Sequence, residues 1–133
     1  MKTIITSGKR KGAIARAVIR PGKGIFTINN ILIDVYEPKL ARQRLGEPLV
    51  LAGDRASKAN ISVTIKGGGI MGQADAGRLA IARALLVFTN DKELEKTFLE
   101  YDRQLLVADI RHREVRKPNT HGNARGKVQK SYR

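Results

Sequence analysis

The sequence predicts a two-layer α/β domain of the α+β class, followed by an extended, strongly basic tail. Three observations predict it. Residues 13–20 (AIARAVIR) and 60–66 (NISVTIK) alternate with period two, the repeat of a strand with two unlike faces. Residues 73–88 are rich in alanine and carry Leu79, Ile81, Leu85, Leu86 and Phe88 widely around a helical wheel, as in a largely buried helix. Beyond Asp109 the large apolar residues thin out while cations accumulate.

Taken in order, residues 2–6 (KTIIT) read as a first strand and Ser7–Gly12 (SGKRKG) as a turn with three consecutive cations. In the strand 13–20, Ala13, Ala15, Ala17 and Ile19 make a small apolar face against which another element can pack closely. Ile14, Arg16, Val18 and Arg20 make the opposite face, expected to stay open. Pro21–Gly24 turns the chain, Ile25–Ile28 and Ile31–Val35 read as strands, and Asn29-Asn30 is a tight hairpin turn. Pro38 suits the first turn of a helix carrying Leu40, Ala41 and Leu45, which Gly46 and Pro48 interrupt or end. After the strand 60–66 come Gly67, Gly68, Gly69 and Gly72 and then the helix 73–88, with Asp75 in its first turn. Asn90 with Glu93 suggests the start of a last helix reaching about Tyr101, with Leu94 and Phe98 as its core pair. Gln104–Ala108 is expected as a final strand.

The chain has 133 residues, the length of one domain. It has no cysteine, which excludes disulfides and thiolate metal sites. The first ten residues contain no apolar stretch with a cleavage site, and no run approaches the roughly 20 apolar residues of a spanning helix. A cytosolic protein is the expectation. Charge is the dominant feature: 26 Lys and Arg against 12 Asp and Glu, a formal +14. Self-repulsion of this size opposes compactness, and a polyanion relieves it. Nucleic acid is the first expectation and an anionic membrane surface the second. Residues 1–109 hold 18 basic and 11 acidic side chains; residues 110–133 hold eight basic and one acidic. The net is +7 in each part. The shorter part cannot bury enough apolar surface to offset its ordering entropy. It is expected to be disordered when free and, fully extended, to reach on the order of 80 Å.

The glycine-rich stretch between a strand and a helix raises the possibility of a nucleotide phosphate site. No Gly-Lys-Ser or Gly-Lys-Thr is present, no Ser or Thr stands in the loop to hold magnesium, and Asp75 would repel a nucleotide. The glycines serve a sharp turn or a grip on a nucleic-acid phosphate. His112 and His121 lack the partners a zinc site requires. Glu93, Glu95, Glu100 and Asp102 read as the wet face of a helix, and nothing marks Asp34 or Glu37 as a tuned acid. No nucleophile, base and orienter can be assembled. The chain is therefore read as having no catalytic residue, metal site or cofactor.

"GGGIMGQADAGRLAIARAL" (67–85) resembles the signature of ribosomal protein nine of the small subunit, and "SGKRKGAIARAVIRPGKG" (7–24) is similar to that family's N-terminal basic hairpin. "YEPKLAR" (36–42) and the closing "QKSYR" (129–133) are similar to its archaeal and eukaryotic branches, the archaeal type fitting best. The likeness spans nearly the whole chain in order. It implies a mixed, mainly antiparallel sheet with a left-handed βαβ crossover, a fold shared with the second domain of small-subunit ribosomal protein five and with a family of small-molecule kinases. It implies a place on the head of the small subunit, with ribosomal RNA, neighbouring head proteins and peptidyl-site transfer RNA as partners. Residues 117–128 carry fewer cations than many tails of the family.

The candidate ribosomal-RNA-binding residues of the body are Lys9, Arg10, Lys11, Arg16, Arg20, Lys66, Gly68, Gly69 and Gln73; those of the tail are Arg111, Arg113, Arg116, Lys117, Arg125 and Lys127. By resemblance, Lys130, Ser131, Tyr132 and Arg133 are the end that approaches the anticodon stem-loop of transfer RNA. Competing expectations are a free-standing nucleic-acid-binding protein and, behind it, an enzyme of the kinase-like fold.

Overall fold

The computed structural model describes residues 2–126. It is a two-layer α+β domain: a five-stranded mixed sheet with helices on one face. Strands β1 (Ile4–Arg10) and β2 (Ala13–Pro21) form a hairpin closed by Lys11 and Gly12. Lys11 takes the left-handed conformation, φ 52°. The stretch SGKR, expected as a turn, is thus strand. Ser7 pairs with Arg16, Gly8 with Ala15 and Lys9 with Ile14. Its turn-like composition has a tertiary cause. A β-carbon on Gly8 would press into the Ala76 carbonyl and lie 2.8 Å from the Ala80 nitrogen, so glycine admits the helix layer at that point.

The sheet runs β1-β2-β5-β3-β4, with β3 at Phe26–Ile28, β4 at Ile31–Leu32 and β5 at Ala59–Lys66. β2 is antiparallel to both neighbours, while β3 is parallel to β5, so the chain crosses over between them by way of β4 and the first helix. Asn29 and Asn30, at φ 49° and 66°, make the β3–β4 turn. The Asn29 side chain continues the ladder past β3, accepting from Ile65 N–H at 2.8 Å. Asn60 fastens the turn before β3, accepting from the N–H groups of Lys23 and Ile25. The strand expected to reach Val35 stops at Leu32 and passes into a 3₁₀ turn, Ile33–Val35. Arg42 holds the Asp34 carbonyl there at 2.8 Å.

Helix α1 (Lys39–Ala52) runs through both Gly46 and Pro48. An interior proline costs roughly 3 kcal/mol, but here the ring is fully buried beside Leu45 on the face that includes Ala41 and Ala52. Burial offsets the lost backbone bond. α2 (Ile70–Thr89) begins before the expected start, which puts Asp75 in its second turn. It lies over β1, β2 and β5. Ala13, Ala15 and Ala17 of β2 and Ala76, Ala80 and Ala84 of α2 are wholly excluded from solvent. α3 (Lys92–Tyr101) is capped by Asp91, whose carboxylate accepts from Glu93 N–H at 2.9 Å. Asn90 instead closes α2 in the left-handed conformation. Leu94 and Phe98 are fully buried, as expected.

Residues 104–108 form no strand. Asp102 accepts from Gln104 N–H, and Arg83 takes the Leu106 carbonyl with two of its nitrogens at 3.3 Å. The segment begins instead with a 3₁₀ turn, Arg103–Leu105, that buries Leu105. Asp102 also departs from the wet face assigned to it. Its carboxylate meets Arg78, which is 4% exposed inside α2, at 3.0 Å, and Arg78 reaches Glu47 of α1 at 2.7 Å. One guanidinium thereby ties α1, α2 and the end of α3 together. Burial pushes the Asp102 carboxyl up, but the Gln104 N–H and Arg78 outweigh it, leaving the group below its ordinary value of 3.8.

Two predictions follow from these contacts. Gly8→Ala should lower stability by about 1–3 kcal/mol through overpacking. Gly46→Ala, at a helical site with nothing within 4 Å of the new β-carbon, should raise it by about 0.5–1 kcal/mol. Thermal unfolding of the two variants checks the contrast. Asp102→Asn should cost up to about 1 kcal/mol at neutral pH after solvent screening. Because the folded value is depressed, that stability is present above pH 3.8 and lost as pH falls further. The difference between wild type and variant should therefore close in acid, as urea unfolding across pH 3–7 would show.

Candidate nucleic-acid interface

With the helices on one side, the period-two pattern leaves the other sheet face bare. Across the register, Lys9, Ile14 and Lys66 form one row, Ser7, Arg16 and Thr64 the next, and Ile5, Val18 and Ser62 a third. Arg20 lies beyond, opposite Asn60. Lys9, Arg16, Arg20 and Lys66 are all exposed, the last three as the alternation in β2 and β5 predicts. None of the five strands contains an aspartate or glutamate. The carboxylates lie on helices, caps, connecting segments and the tail. Several in the helix layer and its caps are engaged with nearby cations: Asp75 with Arg44 at 3.1 Å, Asp91 with Arg55 at 2.8 Å, and Glu47 and Asp102 with Arg78. Among the described residues, the four sheet cations have no carboxylate partner. The result is an electropositive, carboxylate-free face.

The glycine loop borders this face. A depression of about 450 Å³ is lined by Gly12, Ile14, Arg16, Thr64, Lys66 and Gly67. Gly67 and Gly68 have φ 79° and 66°, and a β-carbon on Gly68 would lie 2.8 Å from the Ala13 nitrogen. These glycines are thus required by the turn and by its close approach to β2. Gly69 opens α2 with no side-chain cap, leaving helix N-terminal N–H groups without one. Gln73 braces the loop, donating to the Gly67 carbonyl at 3.0 Å.

The hairpin cations divide. Lys9 and Lys11 are exposed, but Arg10 turns inward to Asp109 and toward Asp75, its side chain 18% exposed. Its place among the candidates rested on the run Lys9-Arg10-Lys11, which gives no sign of partners 65 and 99 residues away. In the tail, Arg111, Arg113, Arg116 and Lys117 are exposed. Like Arg111, which meets Asp109 at 3.4 Å, Arg125 is exposed as well but paired, holding Glu114 through two nitrogens at 2.6 and 3.0 Å. That hydrogen-bonded pair lowers the Glu114 carboxyl below its ordinary value. A turn at 117–123 is held by the Lys117 N–H to Asn123 carbonyl and by Thr120 to the Lys117 carbonyl. Lys127, Lys130, Ser131, Tyr132 and Arg133 lie outside the described residues. Among the described residues, no group of three or more His, Cys, Asp or Glu is placed to hold a metal ion.

Sequence reasoning missed Arg83 and Asp109. Arg83 bridges the Ser7 and Leu106 carbonyls, and Asp109 meets Arg10 while accepting from Arg111 N–H at 2.9 Å. The Asp-x-Arg spacing of 109–111 carries a local turn signal, but nothing in it announces Arg10.

Fold and surface together define a basic two-layer α+β domain with one electropositive sheet face and a cationic extension. Residues 8–133 match the family described as Ribosomal protein S9/S16, and the chain belongs to that family. It is 50% identical over 133 residues to small ribosomal subunit protein uS9 of Thermoplasma volcanium, covering all of both chains. The protein of the same name from Thermoplasma acidophilum is 50% identical over 130 residues, covering 98% of this chain and all of the relative. That of Methanothrix thermoacetophila is 48% identical over 133 residues, again covering both fully. The resemblance read from the glycine signature and the closing pentapeptide is confirmed, and the family is one of ribosomal proteins rather than enzymes.

Proposed function

We propose that this chain, a structural constituent of the small ribosomal subunit, holds ribosomal RNA on its open sheet face, its glycine loop and its tail. Its last residues, Lys130, Ser131, Tyr132 and Arg133, then face the transfer RNA in the peptidyl site. As a ribosomal protein it acts in the cytoplasm, within the ribosome, with ribosomal RNA and neighbouring proteins of the subunit head as partners.

The single observation that carries the reading is the segregation of charge. Lys9, Arg16, Arg20 and Lys66 are exposed on a face whose strands contain no carboxylate. Such a surface attracts a phosphate backbone and meets no like charge on the way in. Contact with phosphates releases condensed counterions; six to eight of them imply a log–log salt slope of about −4 to −7. Arginine offers phosphate oxygens a planar fork of donors and lysine a point charge. These contacts position without reading bases. For the tail end, that suits a site accepting every transfer RNA in turn, and Tyr132 brings a ring able to stack on a base.

Paired charge reversal of Arg16 and Arg20 to Glu should leave melting unchanged and weaken binding to a transcript of the small-subunit head RNA by roughly tenfold or more. Unchanged affinity would remove the sheet face from the interface. Deleting 127–133 should preserve co-sedimentation with the small subunit in moderate salt while weakening peptidyl-site transfer RNA. A truncated protein supporting normal transfer-RNA retention and reading-frame fidelity would refute the role given to the tail end. A chain that stays free of the subunit in the same gradient would favour a free-standing nucleic-acid-binding protein.

A further inference from the structure

The turn between β1 and β2 and the first residues after Asp109 are separated by about a hundred positions in sequence, yet they face each other across a cleft of about 630 Å³. Arg10, Lys11 and Gly12 line one wall, and Arg111, His112 and Arg113 the other. Among the described residues, no carboxylate lines it. Lys11, Arg111, His112 and Arg113 are exposed, and Gly12 presents bare backbone. Two cationic walls with an open mouth suit a strand that carries negative charge along its length.

The walls are held in place by contacts behind them. Leu105 is fully buried, and Arg83 joins the Leu106 carbonyl to the Ser7 carbonyl of β1. Asp109, its side chain 9% exposed, pairs with Arg10 through Oδ2. Its Oδ1 accepts the Arg111 N–H at 2.9 Å, and Arg111 Nη2 lies 3.4 Å from Oδ2. One carboxylate therefore anchors the far wall to the near one, and it sits outside the lining of the cleft.

We propose that this cleft binds the sugar–phosphate backbone of an RNA strand passing between the hairpin turn and the root of the tail, and that Asp109 is the positioning residue that builds it. The inference rests on the reading of RNA as the partner and specifies where one strand is gripped from both sides. It also gives Arg10 a part without direct contact as its first duty: its charge is engaged with Asp109, so Lys11 and Arg113 supply the free cations that face each other.

The test uses the full chain and a transcript of the small-subunit head RNA, titrated over a range of salt. Simple electrostatics predicts that Asp109→Asn, which removes a negative charge, binds more tightly. The proposed role predicts the reverse: a loss of three- to tenfold, a salt slope shallower by about one to two counterions, a body that stays folded at the assay temperature, and recovery in Asp109→Glu. Lys11→Ala and Arg113→Ala should each weaken binding, and the double variant should lose less than the product of the two, because both grip one strand. This second comparison leaves Asp109 in place, so it decides on the cleft even if Asp109→Asn folds poorly. Equal or tighter binding by a folded Asp109→Asn overturns the positioning role, and strictly multiplicative losses overturn the shared cleft. A wild-type chain that binds no head RNA sinks the broader functional reading instead.

Discussion

Close contact between two alanine surfaces governs this molecule. Ala13, Ala15 and Ala17 on β2 meet an alanine-rich α2, and Gly8 on β1 and Gly77 on α2 remove side chains where even a methyl group would collide. A β-carbon on Gly77 would lie 2.8 Å from Ile65 Cδ1 of β5. Contacts of that closeness leave few voids and make the covered side of the sheet intolerant of larger residues. Among the described residues, the three α-helices lie on that side, α2 against the strands and α1 and α3 packed on α2. The other face is left to whatever the chain meets in its assembly.

That one-sidedness also sorts the charges of a protein whose formal charge is +14. Carboxylates are confined to the helical layer, the segments that join it to the sheet and the tail, and Asp75, Glu47 and Asp102 among them pair with arginines of α1, α2 and β1. The same separation keeps negative charge off the strands. Arg78 is the extreme case, a nearly buried cation held by Glu47 and Asp102. A buried cation left without compensation is costly, and two carboxylates share that task here. Stability and binding therefore draw on different cations of the body: Arg10, Arg44 and Arg78 pair with carboxylates of the helical side, and Lys9, Arg16, Arg20 and Lys66 on the open sheet face remain available to phosphate.

Much of this was legible in the residues. Alternation in 13–20 and 60–66 identified both the covered and the open face, because side chains on a strand point to opposite sides at every step. Asn29-Asn30 announced its hairpin, since few other residues accept the left-handed conformation twice in succession. Where local signals misled, a distant group had intervened. Gly8 looked like a turn residue but is a strand residue thinned to admit α2. Pro48 looked like a stop signal but is a buried core residue. Residues 104–108 had an acceptable strand pattern, yet Arg83 and Asp102 had already taken backbone groups that a ladder would need.

By itself the sequence determined the class of fold, the chemical character of each sheet face, the excess of positive charge and the family signature, all carried by periodicity or by short contiguous motifs. Tertiary structure alone decided which cations are free. Arg10 and Lys11 are neighbours in an unbroken basic run, but only one of them meets Asp109. It also brought residues 10–12 and 111–113 to opposite sides of one cleft. The physical reason is that an ion pair across 99 positions leaves no periodicity and no local propensity behind it; it exists only once the hairpin and the chain beyond α3 have been laid side by side.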